Sequence, residues 1–173
     1  MGQRRTEVLH AAIELLDEVG LDALTMRLLA SRLGVRASAL YRHYPSKQAL
    51  LDAMVAHLVG TGELPEAEWD ELLRGAASGL RSVMLAHRDG ARLIAGFHDP
   101  GPDAVAAFER LITALTEAGV PAAAVAVDTV MAYANGFTVE EQARKTRWPR
   151  EGRDRAFDDG LALIIAGIRA SMV

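Results

Sequence analysis

The sequence contains no cysteine, which excludes disulfides and thiolate metal sites and fits a reducing compartment. Aromatic residues make up only 5% of its 173 positions, so leucine, alanine, valine and isoleucine must pack any core. Alanine and leucine are strong helix formers, and that bias favours helices over sheets. No apolar run approaches the roughly 20 residues that a membrane-spanning helix needs. Met1-Gly2-Gln3-Arg4-Arg5 passes at once into amphipathic sequence, so no signal peptide is expected and a cytoplasmic location is. Strand alternation, internal repeats and low-complexity tracts are also missing.

What is present is charge, unevenly placed. The formal net charge is −4, a poor start for a polyanion binder. Residues 1–50 nevertheless carry a net +2 and the remainder −6. Every acid of the first part precedes residue 23, so residues 24–50 hold Arg27, Arg32, Arg36, Arg42 and Lys47 and no anion. A local basic patch on an acidic body is the electrostatic footprint of a nucleic-acid reader, although a solvated helix face would show the same charges.

The apolar periodicity is helical nearly throughout. Val8, Ala12, Leu15, Leu16 and Val19 mark a first helix that Gly20 stops. Helices are predicted at 26–33, with Thr25 as N-cap, at 36–43, and at 47–59 after Pro45 and Ser46. Breakers at 60–65 suggest a boundary. Further helices are predicted at 66–87, 91–97, 103–118, 122–143 and 155–171, with a polar loop over 145–153. The fold class is all-α, a three-helix head over residues 1–47 and a larger helical domain over 48–173.

The sharpest pattern lies between Met26 and His43. Two helices crossing through a tight turn need a small residue at the crossing, a glycine for the turn, and apolar positions pinning the pair. Ala30, Gly34 and Leu40, with Leu29, Leu33 and Val35, supply all of these at helix-turn-helix spacing. Arg36, Ala37, Ser38 and Arg42 would then face the major groove, where arginine reads guanine in bidentate fashion. Thr25 and Arg27 open the supporting helix, whose free amides suit a phosphate. Tyr41, His43 and Lys47 would flank the backbone and set register. Taken singly, Tyr41 also fits a packing role and Lys47 that of a solvated cation.

These residues resemble the Tet repressor family of transcriptional regulators. The similarity runs through Ala12 to Thr25, then Arg27, Leu29-Ala30, Leu33-Gly34-Val35, Leu40-Tyr41-Arg42-His43-Tyr44, and Lys47 with Leu50-Leu51-Asp52-Ala53. Patchier similarity follows in His87-Arg88-Asp89-Gly90-Ala91, Gly136-Phe137-Thr138, Glu140-Glu141-Gln142, and Ala156-Phe157 with Gly160-Leu161. The resemblance implies a homodimer that binds a palindromic double-stranded DNA operator. A small-molecule effector would release it, with the fourth helix transmitting the change. It also implies a four-helix dimer bundle, for which Gly160, Leu161, Ile164, Ala166, Gly167 and Ile168 are the candidates; the same helix could instead pack within the monomer.

Tetracycline-binding members hold a magnesium chelate through a histidine after this His-Arg-Asp-Gly motif. That position is Ile94 here; neighbouring polar contacts become Phe97 and His98, and a pocket asparagine becomes Ala76. Isoleucine cannot ligate magnesium, which takes oxygens and water. The expected effector site is therefore an apolar cavity with few polar groups. Candidate lining residues are Leu80, Met84, Ile94, Phe97, Phe108, Leu111, Met131, Asn135 and Phe137, all of which also suit plain core. No cofactor is expected. The cluster His87, Asp89, His98 and Asp99 lacks the phosphate loop or ligand spacing that catalysis or a metal would require. The remaining alternative is a helical adaptor without DNA binding.

Overall fold

The computed structural model describes residues 3–60, 67–144 and 149–172. Among them are nine helices and no strand: α1 (Gln3–Val19), α2 (Met26–Arg32), α3 (Ala37–Tyr41), α4 (Lys47–Val59), α5 (Trp69–Ala86), α6 (Gly90–Ala95), α7 (Pro102–Glu117), α8 (Ala123–Ala143) and α9 (Arg150–Ala170). The caps anticipated from sequence are made. Thr25 accepts the Leu28 amide at 3.1 Å and Ser46 that of Ala49 at 3.0 Å.

The main departure is at α9, which begins at Arg150 rather than 155. Residues 150–153 are therefore its first turn, while 145–148 and most of the 60–65 boundary fall outside the described residues. Ion pairs explain the longer helix. The Arg153 Nε donates to Glu141 Oε1 at 2.9 Å, and Asp154 accepts from Arg81 Nη2 at 2.6 Å. They anchor a turn that Gly152 alone would weaken.

Two apolar clusters form the interior. The first joins Leu9, Leu16, Leu29, Leu40 and Met54 of α1 to α4 with Met84 and Ile94 from the α5–α6 corner. The second packs Leu73, Leu115, Val127, Val130, Phe157 and Leu161 from α5, α7, α8 and α9. Leu80 touches both.

Polar contacts lock the two clusters together at one turn, residues 87–90. From below, Gln142 of α8 donates to the carbonyls of His87 (3.0 Å) and Met84 (3.3 Å) and accepts the Ala91 amide (3.0 Å). One side chain thus satisfies groups that the end of α5 and the start of α6 leave open. From above, the turn after α1 closes on it. Asp89 accepts the Leu21 amide at 3.0 Å, Asp17 accepts the Arg88 amide at 2.8 Å, and Arg88 donates to the Glu18 carbonyl at 2.7 Å. Asp17 also faces the His87 Nδ1 at 2.9 Å. Arg92 grips Asp22 through two bonds of 2.9 and 3.1 Å, and this holds the Asp22 carboxyl below its usual range.

The close fit dictates Gly20. Its φ is +83°, and a Cβ there would lie 2.8 Å from Asp89 Oδ2. Only glycine takes that conformation cheaply and leaves the carboxylate its place.

Candidate nucleic-acid interface

The head is built as its motif requires. Leu29, Ala30 and Leu40 are buried where α2 crosses α3, Leu33 and Val35 pack beside them, and Gly34 takes φ +64° in the turn between. The second helix is shorter than expected: Arg36 is its N-cap and Arg42 its C-cap. The His43 and Tyr44 amides both return to the Leu40 carbonyl at 2.9 Å before Pro45. Arg42 and His43 therefore project from the closing turn rather than from regular helix.

Thr25, Arg27, Arg36, Ser38, Tyr41, Arg42 and His43 are exposed, and Ala37 is half-buried. Tyr44, by contrast, is buried: its hydroxyl donates to the Arg5 carbonyl at 3.2 Å, and the Arg5 guanidinium lies over its ring. Lys47 is partly committed. Its ammonium donates to the Leu21 carbonyl at 3.3 Å and also lowers the Asp22 carboxyl's pKa, so it belongs to the interdomain turn as well as to the head.

The anion-free window of the sequence is not anion-free in space. Arg32 donates to Glu18 at 2.6 Å and to Glu14 at 3.1 Å, across to α1, and its guanidinium holds the Glu18 carboxyl below its ordinary range. Arg27, Arg36 and Arg42 have no carboxylate partner among the described residues. The net positive field therefore lies on these three, and Arg32 stands apart from it.

The candidate effector residues separate. Leu111 is buried in the body core, with Leu80, Phe108 and Met131 packed against it. Met84 and Ile94 are instead buried in the head-side cluster, Ile94 with 2% exposure. The candidates therefore divide between the two clusters, which Leu80 joins, with α6 packed on α5 and α8. Phe97 is 38% exposed, since Gly96 ends α6 and releases the ring outward. Phe137 stacks in an aromatic trio with Tyr133 and Phe157, at centroid distances of 5.4 to 5.7 Å, and so packs α8 on α9. Asn135 Oδ1 is buried with no hydrogen-bond partner among the described residues.

The candidate dimer residues divide too. Leu161 has 1% exposure and, with Ile164 and Ile168 packed beside it, belongs to the monomer's own core. At Gly160 the space for a Cβ is filled by Tyr133, whose hydroxyl donates to the Phe157 carbonyl at 3.0 Å. All four take part in intrachain packing, Leu161 fully and Gly160, Ile164 and Ile168 while half-buried. Ala166 and Gly167 remain exposed. What periodicity missed is a second stripe: Leu163 is 76% exposed on α9 and Val125 62% on α8. Over residues 160–168 both faces of α9 are apolar, but one packs on the body and the other is exposed.

With this geometry in place, similarity to known proteins is decisive. Residues 8–54 match the bacterial regulatory proteins of the tetR family, and residues 61–153 match the tetracyclin repressor-like C-terminal domain. The chain belongs to the TetR family. It is 36% identical over 191 residues to the tetracycline repressor protein class A from transposon 1721 of Escherichia coli, across 93% of this chain and 88% of that protein. A TetR variant from Acinetobacter baumannii AYE in complex with minocycline superposes with a TM-score of 0.87 at 36% identity, covering 97% of each chain. BioQ with its natural double-stranded DNA operator superposes with a TM-score of 0.80 at 34% identity, covering 96% of this chain and 98% of BioQ. The family consists of transcriptional regulators, and no helix among the described residues is long and apolar enough to cross a membrane.

Proposed function

We propose that this TetR-family chain is a cytoplasmic, non-enzymatic repressor that binds a palindromic operator as a homodimer and leaves it when a small molecule occupies the body. The carrying observation is the electrostatic sorting of the head: among the described residues Arg27, Arg36 and Arg42 lack carboxylate partners while Arg32 is neutralised. Residues 1–47 form the reading unit, and residues 48–173 the regulatory and dimerisation unit. Arg36, Ala37, Ser38 and Arg42 meet base edges; Thr25, Arg27, Tyr41, His43 and Lys47 meet the backbone. Each neutralised phosphate contributes about 0.9 to the slope of log affinity against log salt, and a dimer counts every contact twice. Arg36→Gln and Arg42→Gln are expected to weaken operator binding and flatten that slope, while Arg32→Gln keeps it near the wild-type value. Fluorescence anisotropy at several salt concentrations checks this, and equal flattening by Arg32→Gln contradicts it.

The dimer face we assign is the exposed stripe Val125, Thr129, Ala132 and Gly136 of α8 beside Leu163, Ala166 and Gly167 of α9. The spacing puts each set on one side of its helix, and the small residues allow close approach across a two-fold axis. Two heads held in this way must stand about 34 Å apart to enter successive major grooves. Leu163→Glu is expected to shift the sedimentation profile from dimer to monomer and weaken operator binding, with helical circular dichroism unchanged. A dimer that persists at micromolar concentration overturns this assignment.

For the effector, the residues present do not fit a magnesium–tetracycline chelate. Ile94 is apolar and buried in the head-side cluster, and Ala76 and Phe97 add no oxygen to the site. The unpartnered Asn135 Oδ1 instead favours a largely apolar ligand that offers one hydrogen-bond donor, because a buried acceptor left alone is costly. Calorimetry is expected to show no magnesium-dependent tetracycline binding; a tight isotherm abolished by a chelator of magnesium contradicts this reading.

A further inference from the structure

We propose that a recess between α5, α8 and the first turn of α9 binds a small organic carboxylate, at a site separate from the apolar body core. The recess has a volume of about 590 Å³, within the range of small-molecule sites. None of the apolar candidate residues lines it.

Its floor is a fixed ionic frame. Arg81 donates to both oxygens of Glu141, at 2.8 and 3.0 Å, and to Asp154 at 2.6 Å. Arg153 adds a bond of 2.9 Å to Glu141. Burial pulls the Arg81 pKa down, but these bonds outweigh it and hold the guanidinium above its ordinary value. The frame is rigid and its carboxylates are engaged.

Its rim is not saturated. Arg150 is the third guanidinium lining the recess, beside two carboxylates. The Arg150 side chain is largely exposed, and its nearest carboxylate oxygen, on Asp154, lies 4.0 Å away, beyond hydrogen-bond range. Ser78 and Ser82 stand one turn apart on α5, facing the recess, and their hydroxyls have no partner among the described residues. Pro149 gives the first amides of α9 no side-chain cap, so they add partial positive charge at the same edge. Leu85 and Ala86 close the other side with an apolar wall.

An exposed planar guanidinium held only by a 4.0 Å ion pair, two hydroxyl donors and an apolar wall match a carboxylate on an apolar body. Carboxylate oxygens would take Arg150 in bidentate fashion and the serine hydroxyls from the side. The apolar part would lie against Leu85.

The test uses the full chain and benzoate as the probe, followed by amide chemical shifts and thermal unfolding. Saturable binding that raises the melting temperature is expected, with shifts concentrated at Ser78, Ser82 and residues 150–152. Arg150→Ala and the double variant Ser78→Ala with Ser82→Ala should each weaken binding about tenfold or more, as loss of a charge-assisted bond does. Both changes are at exposed positions that support no core. Non-saturable binding, equal affinity in these variants, or shifts centred on Asn135 would overturn the proposal. Tighter binding of inorganic phosphate than of benzoate would overturn the carboxylate assignment. The readout needs no DNA, so its failure is distinguishable from failure of the repressor reading.

Discussion

The Asp89 carboxylate accepts the amide of Leu21, and that one bond shows how the molecule is joined. α4 links head and body through the chain; the turn at 87–90 links them again through space. Gln142 fixes this turn from α8, while Asp17, Glu18, Leu21 and Asp22 fix it from the end of α1. Asp89 itself stands at φ +56°, a conformation that aspartate tolerates better than most residues. The α1–α2 corner is thus in direct contact with the turn before α6, by a route that does not run through α4. α4 is gripped as well, because Asp52 accepts the His98 amide at 2.9 Å from the segment that follows α6. Head and body respond as one body at this junction.

The ion pairs differ in what they do. Arg32 with Glu14 and Glu18 is a surface triad, which contributes little stability; its effect is to remove one cation from the field of the head. Arg81 with Glu141 is nearly buried, with side-chain exposures of 13% and 4%. Each member has a second partner, Arg153 for Glu141 and Asp154 for Arg81, so the frame holds its charges as a network rather than as one pair. That frame carries the first turn of α9 and forms the floor of the polar recess.

Much of the fold was legible because its signals are local. Apolar spacing, Thr25, Ser46, Gly20 and Gly34 placed seven of the nine helices within a few residues and located the head. Two kinds of feature were not legible. Residues in the apolar run 160–168 of α9 cannot be sorted by period alone, so Leu161 and Leu163 look alike until the partners on either side are known. Long-range polar contacts are equally hidden: nothing local pairs Arg32 with Glu18, or Asp89 with Leu21. The clustering of Asp17, Glu18 and Asp22 opposite His87, Arg88 and Arg92 was a usable signal, visible only once the two turns are thought of as adjacent. Ile94 shows a third limit, since alignment with relatives marks its position but not the cluster into which its side chain packs.

The central claim is that two identical heads, each reading through unpaired arginines, face DNA across a two-fold axis. Selection of bound sequences from random double-stranded DNA by the full chain tests it most directly. The account predicts an enriched palindrome whose half-sites are centred about one helical turn apart, near 10 base pairs. An enriched sequence without two-fold symmetry, or no enrichment above non-specific binding, would contradict it.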